Sequence, residues 1–369
     1  MRAVSRVWWG SHPSTLKLMY NSLVRSHLDY GTFLFDPLPK YLDKKLERIQ
    51  SKALRLIIGA MNSSPINSLQ VECVDPPLFL RRQFLADKYI FKSLSLSGHP
   101  LRQSLDHLYN NLNDNKRLTD KNRFPLLVKK DPILPIFSIP FDTINFIPKV
   151  ITSNFQANIL TSSNKFQNVE EHFKNIVSSN FPGFSLIYTD GSKSDLKDCG
   201  ASVYIPEFNL NLSYKLPKEI SIFTAECFAI EQALIQIQLL NIRRALLCTD
   251  SLSAVLKISS NIGRCPEDYL ICNIKNILNS LDESKFETIL VWIPGHLGIE
   301  GNEKADSLAK LGTTSGSIPL NFKIPVSDVF SVLKSNMSRS WEENCTECWK
   351  FVPNSDTLLY LWNYRTSKT

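Results

Sequence analysis

Phe184-Ser185-Leu186-Ile187-Tyr188-Thr189-Asp190-Gly191-Ser192 is the stretch that decides how this chain is read. A run of apolar and β-prone residues ends on a carboxylate, and a glycine follows at once. The pattern predicts a strand over 184–189 that delivers Asp190 at its edge, with Gly191 letting backbone come close to it.

Working outward, three more carboxylates sit at the edges of other predicted elements. Glu226 lies near the start of a helix predicted over 224–240, a stretch rich in Ala, Ile and Leu and free of Gly and Pro. Asp250 closes a strand over 245–249, and Ser251 opens helices reaching to Leu281. A strand over 288–293 leads through Pro294-Gly295 to His296, and a helix over 300–311 carries Asp306. Strands over 200–205 and 210–216 complete an antiparallel meander followed by alternating helices and strands, which predicts an α/β domain with a mixed sheet covered by helices.

Taken singly, each residue has a plainer reading. Asp190 suits a turn before glycine, Asp250 an N-cap, and Glu226 a first-turn acid favoured by the helix dipole. Asp306 could pair with Lys310 one turn later, and His296 could be a packing histidine. Together they fit metal chemistry. Magnesium takes near-octahedral oxygen ligands and is held by a few carboxylates plus substrate phosphate oxygens. Two such ions roughly 3.5–4 Å apart can activate a water and neutralise the leaving oxygen of a phosphodiester.

The blocks Tyr188-Thr189-Asp190-Gly191-Ser192, Thr224-Ala225-Glu226, Thr249-Asp250-Ser251 and His296-Leu297-Gly298-Ile299-Glu300-Gly301-Asn302-Glu303-Lys304-Ala305-Asp306, in that order, resemble the ribonuclease H type 1 signature. The version they resemble most is that of jockey-type non-LTR retrotransposons. The resemblance implies a ribonuclease H-like mixed five-stranded sheet flanked by helices over 181–312, hydrolysing the RNA strand of RNA–DNA hybrids with two Mg²⁺ or Mn²⁺ ions. It implies Asp190, Glu226, Asp250 and Asp306 as metal ligands and catalytic residues, with His296 as a catalytic proton carrier. Substrate contacts are implied for Gly191, Ser192, Thr224, Ser251 and Asn302. Two departures stand out. Many relatives place Asn or Gln where this chain has Ile222 and Phe223, and residues 262–281, where some relatives carry a basic handle, contain only Arg264 and Lys275.

The rest of the 369 residues reads differently. Residues 1–95 read as a mainly helical region, with Leu16, Tyr20, Leu23 and Val24 on one helix face and Leu42, Leu46, Ile49, Ala53 and Leu56 on another. Lys44, Lys45, Arg48, Lys52 and Arg55 interleave with the second stripe. Residues 1–100 hold 14 basic against 7 acidic side chains, a net +7, whereas 181–312 hold 12 against 16, a net −4. Attraction to a nucleic-acid backbone is therefore expected from the N-terminal region. His27-Leu28-Asp29-Tyr30-Gly31, residues 46–60 and Pro76-Pro77-Leu78-Phe79-Leu80-Arg81-Arg82 resemble the end of a retrotransposon reverse transcriptase beyond its palm. With no Asp-Asp dipeptide, polymerase activity is not expected.

Residues 96–180, interrupted by Pro125, Pro132, Pro135, Pro140 and Pro148, read as a linker with short elements. Residues 313–369 read as a flexible break at 313–317 and then a helical segment carrying Trp341 and Trp349. The eight cysteines show no disulfide framework, and the lone Cys345-x-x-Cys348 pair is weak as a zinc motif. No signal peptide or membrane span is read, so an intracellular location, cytoplasmic or nuclear, is expected. The alternative function is a catalytically silent nucleic-acid-binding or scaffold remnant of a decayed element.

Overall fold

A computed structural model describes residues 4–5, 10–32, 38–95, 99–100, 103–104, 148–151, 169–194, 198–260, 269–319 and 322–349. The chain divides into two compact units, one containing the helices up to Leu94 and residues from Phe330 onward, the other residues 132–329.

In the first unit, α1 (Pro13–Tyr20) runs into a π-helical turn, Asn21–Arg25, and a short helix, Ser26–Asp29. Helices α2 (Lys40–Ile58), α3 (Ile66–Glu72) and α4 (Leu78–Leu94) follow. Leu16 and Tyr20 of α1, Ala53, Leu54 and Ile57 of α2 and Leu69 of α3 form a shared core. The expected stripes are partly corrected. Leu23 is 60% exposed, because the wider π turn rotates the register and swings Arg25 inward instead. On α2 the buried face runs through Gln50, Ala53, Leu54 and Ile57, one position round from the expected one, and Ile49 is exposed. Both shifts converge on Asp75, a buried carboxylate that receives Lys17 at 2.7 Å, Gln50 at 2.7 Å, Tyr20 at 3.3 Å and the Arg25 guanidinium.

The second unit is built on a sheet of order β1-β6-β5-β2-β3-β4. The five expected strands are β2 (Ser185–Lys193), β3 (Cys199–Ile205), β4 (Leu210–Leu216), β5 (Arg244–Thr249) and β6 (Glu287–Trp292). A two-residue strand β1, Val150–Ile151, from the expected linker adds a sixth, parallel to β6. β2, β3 and β4 pair antiparallel, whereas β2, β5 and β6 pair parallel. Alternation along the strands makes two apolar faces. Ile187, Leu247 and Leu290 pack with α6 (Ile222–Leu239), α7 (Leu252–Ser259) and α8 (Tyr269–Glu283). Tyr188, Leu246, Cys248 and Val291 join a core with Ile299 and Ala305, the latter on α9 (Glu300–Ser315).

That second core also takes Phe173 and Val177 of α5 (Val169–Asn180), so the last part of the expected linker is a packed helix whose Phe173 is fully buried. The other prolines assigned to the linker lie outside the described residues, except Pro148. The expected break at 313–317 is likewise ordered. α9 continues to Ser315, and Ser317 bridges to Tyr214, exchanging backbone hydrogen bonds of 2.9 Å with Ser213 and Lys215. A last helix, α10 (Val326–Trp349), follows; the side chains of Cys345, Cys348 and Trp349 lie outside the described residues. Among the described residues no helix is long and apolar enough to cross a membrane.

Candidate active site

The parallel pairing of β2 with β5 ends at Thr189 and Thr249. Asp190 and Asp250 are the next residues on each chain, so two carboxylates leave adjacent strands at the carboxyl end of the sheet, where open α/β sheets bind ligands. β2 continues beyond Asp190 only because its other neighbour, β3, keeps pairing through Lys193. Asp190 is therefore inside a strand on one side and at its end on the other.

Glu226 reaches this point because α6 lies hard against β2. A Cβ on Gly191 would sit 2.7 Å from the backbone nitrogen of Glu226, closer than real Cβ contacts allow, so no larger residue fits without moving the helix. The ligand oxygens of Asp190, Glu226 and Asp250 all lie within 4.8 Å of one another, a group that could hold a metal ion. Asp190 and Glu226 are buried and Asp250 half-buried. One oxygen of Glu226 is buried with no hydrogen-bond partner.

The electrostatics match that crowding. Burial, then the charges of Asp250 and Asp306, push Asp190 up to about 8, against the pull of the Gly191 backbone N–H and Lys310. Burial, then Asp190 and Asp250, raise Glu226 well above the ordinary carboxylate range. Burial raises Asp250 too, while a hydrogen bond from Asn302 and the His296 charge hold it down.

Asp306 faces the same site from α9, close enough to raise Asp190 and Asp250, but its oxygens are outside the three-carboxylate group. It accepts a 2.6 Å ion pair from Lys310 one turn on, the pairing that its plain reading expects. His296 is exposed, in a turn with left-handed φ of 57°, and bears electrostatically on Asp250. Asn302 is buried; its amide donates to Asp250 Oδ2 at 3.5 Å and its carbonyl oxygen is buried without a partner. Gly191 and Ser192 lie in β2 and are half-buried. Ser251, rather than Asp250, is the N-cap residue of α7.

Thr224 departs from the substrate-contact expectation. It is buried, and its hydroxyl donates to Asp328 Oδ2 at 2.6 Å, so it is engaged inside the protein. Of the residues standing where relatives carry Asn or Gln, Ile222 is exposed and Phe223 packs on the core. The sequence reading missed Trp292, whose indole N–H donates to the Asp250 carbonyl at 3.0 Å and so fixes the backbone under a site carboxylate. A tryptophan at the end of a strand, one residue short of the turn to His296, was the available signal.

The RNase H family model matches residues 184–314. Mouse (Mus musculus) Ribonuclease H1 is 30% identical over 140 residues, covering 34% of this chain and 49% of that protein. Human (Homo sapiens) Ribonuclease H1 is 33% identical over 146 residues, covering 35% and 50%. The chain thus spans about half the length of these curated relatives. Residues 184–314, which match the RNase H family model, are an RNase H domain, and they contain strands β2 to β6 and the three-carboxylate group.

Proposed function

We propose that this protein hydrolyses the RNA strand of RNA–DNA hybrids, assisted by two divalent ions, Mg²⁺ or Mn²⁺. The observation that carries the reading is the group of three mutually close carboxylates, one with a buried oxygen lacking any partner. An all-oxygen donor set of this kind suits Mg²⁺, and a cation would offset the burial and the mutual repulsion that raise Asp190 and Glu226. Asp190, Glu226 and Asp250 would hold one ion, with Asp306 joining Asp190 at the other. When bound, the ions activate a water and neutralise the leaving oxygen, giving 5′-phosphate and 3′-hydroxyl ends.

The chain's own residues prepare the site. Asn302 and the Trp292 indole hold Asp250 by its carboxylate and its carbonyl. Gly191 N–H steadies Asp190 and Glu226. His296, exposed on its turn, would serve as the proton carrier through its imidazole. Ser192, Ser251 and backbone groups beside them take the substrate's sugar hydroxyls. On α2, Lys44, Lys45, Arg48 and Lys52 are exposed on a helix of the basic region and would attract the nucleic-acid backbone. The Tyr30-Gly31 and Pro76-Pro77 motifs support derivation from a jockey-type retrotransposon, with the helical region as the end of its reverse transcriptase.

The test is cleavage of labelled RNA in a hybrid by the full chain with Mg²⁺ or Mn²⁺. Wild type should leave 5′-phosphate ends, and Asp250→Asn should be severely impaired yet folded. Near-normal cleavage by that variant would refute the assignment.

A further inference from the structure

The family match ends at residue 314, but the packed structure of the second unit does not. Phe322 is buried edge-on against Phe228 of α6, with ring centroids 5.3 Å apart, and Tyr269 donates its hydroxyl to the Lys323 carbonyl. The segment then turns into α10, whose Val326 and Asp328 are both buried. Asp328, 5% exposed, aims its carboxylate at the start of α6. Its Oδ2 accepts from the Ser221 backbone N–H at 3.1 Å and from the Thr224 hydroxyl at 2.6 Å.

This contact is more than an ordinary cap. Ser221 already serves as N-cap, its hydroxyl accepting from Thr224 N–H at 3.2 Å. α6 has no acidic residue in its first turn, so Asp328 supplies the negative charge that the positive end of the helix favours, from over a hundred residues away in sequence. Glu226 lies two residues beyond Thr224; the Gly191 backbone N–H holds its carboxylate from β2, and one of its oxygens makes no bond. Where the carboxylate is carried depends on the helix backbone, and the first turn of that backbone is tied to Asp328.

We propose that Asp328 is a positioning residue for metal binding by Glu226, acting through Ser221 and Thr224. The inference rests on the reading of Glu226 as a metal ligand. Groups hydrogen-bonded directly to metal ligands commonly contribute about 10- to 100-fold to metal affinity, and Asp328, which acts one step further away through the helix turn, is expected toward the lower end of that range.

The experiment uses the full chain, Mg²⁺ alone as the probe in calorimetric titration, and hybrid cleavage as a second measurement. Asp328→Ala should weaken Mg²⁺ binding about 10-fold, the lower end of that range, with most of the turnover restored at saturating metal. Asp328→Asn, whose carbonyl can accept the same two bonds, should return affinity to within a few-fold of wild type. Leu278→Ala, a core truncation in α8, should lower thermal stability without weakening Mg²⁺ binding. Wild-type affinity in Asp328→Ala, or equal losses in Asp328→Ala and Leu278→Ala, would overturn the proposal. Should Asp328→Ala fail to fold, Thr224→Val removes the donated hydroxyl alone, and unchanged Mg²⁺ affinity in that variant would overturn it as decisively. A wild-type chain that neither binds Mg²⁺ nor cleaves hybrid would refute the ribonuclease reading itself, and this inference with it.

Discussion

Asp75 in the helical unit and Asp190 in the sheet unit are buried to a similar degree, 2% and 5% exposed, and differ entirely in company. Asp75 is met by Lys17, Arg25, Gln50 and Tyr20, two cations and two neutral donors around one carboxylate. Asp190 faces Asp250 and Asp306, and Glu226 feels its charge in turn. Removing a charge from water is costly unless it is paired, so a fold that saturates one carboxylate and crowds another among its own kind is not economising. The first arrangement closes a core, while the second is a group of carboxylates that could hold a cation.

The largest effect should come from breaking the saturated side of this comparison. Asp75→Ala leaves the buried Arg25 guanidinium without its acceptor, and losing one partner of a buried pair costs about 3–5 kcal/mol. Amide hydrogen exchange in residues 13–72 should accelerate accordingly. Unchanged protection would mean that Asp75 is not the hub of that unit. Asp190→Asn should do the opposite to stability, because it removes a repelled, desolvated charge. The metal-free sheet unit should melt higher, while cleavage falls by about 10²–10³-fold, the usual scale for removing a key electrostatic group from a reacting site. A variant that lost stability as well as activity would erase the contrast with Asp75.

The two units were not equally legible in the sequence. In the sheet unit, short apolar runs bounded by turn residues and carboxylates located five strands, and the fold brings Asp190, Glu226 and Asp250 to one place. A buried parallel strand is apolar on both faces, so such a run can be placed without knowing which side chain faces which layer. In the helical unit the apolar stripes were readable but their rotation was not. A π turn at 21–25 and a buried polar hub at Asp75 have no periodic signature, and both override the apolar stripe. Thr224 was misjudged for a related reason. Its partner Asp328 lies over a hundred residues away, and only the folded chain shows that its hydroxyl is already donated. The packing of Phe173 was hidden because α5 follows a proline-interrupted stretch that reads as linker.

A smaller effect is expected at His296, which sharpens the comparison by separating proton handling from ion holding. It is exposed, beside Asp250, and bears a nitrogen ligand that magnesium does not prefer. His296→Ala should lower turnover by about 10²-fold or less, the lower end of general acid–base effects, with Mg²⁺ affinity nearly unchanged. Loss of Mg²⁺ binding, with turnover restored at saturating metal, would show that the imidazole organises the ions instead.

The smallest effect is a pH slope, and it follows from the sign of the Asp190 shift. Its folded-state value of about 8 lies above that of an unfolded aspartate, near 3.9. Between those values the folded state binds more protons than the unfolded one, so metal-free stability should fall as pH rises from about 4 toward 8 and level off above. Asp87 in the helical unit, pushed up to about 6 by burial, adds a slope of the same sign. The informative quantity is therefore the difference between wild type and Asp190→Asn, followed by thermal melts in chelator. Wild type should lose at least about 1.4 kcal/mol more than the variant across this window, the worth of a single pKa unit. Saturating Mg²⁺ should remove that excess, because ligand carboxylates must be deprotonated to bind metal and binding becomes stronger as pH rises. If wild type and Asp190→Asn showed the same slope in chelator, Asp190 would not be the proton-holding member of the cluster, and the contrast with Asp75 would have to rest on Glu226.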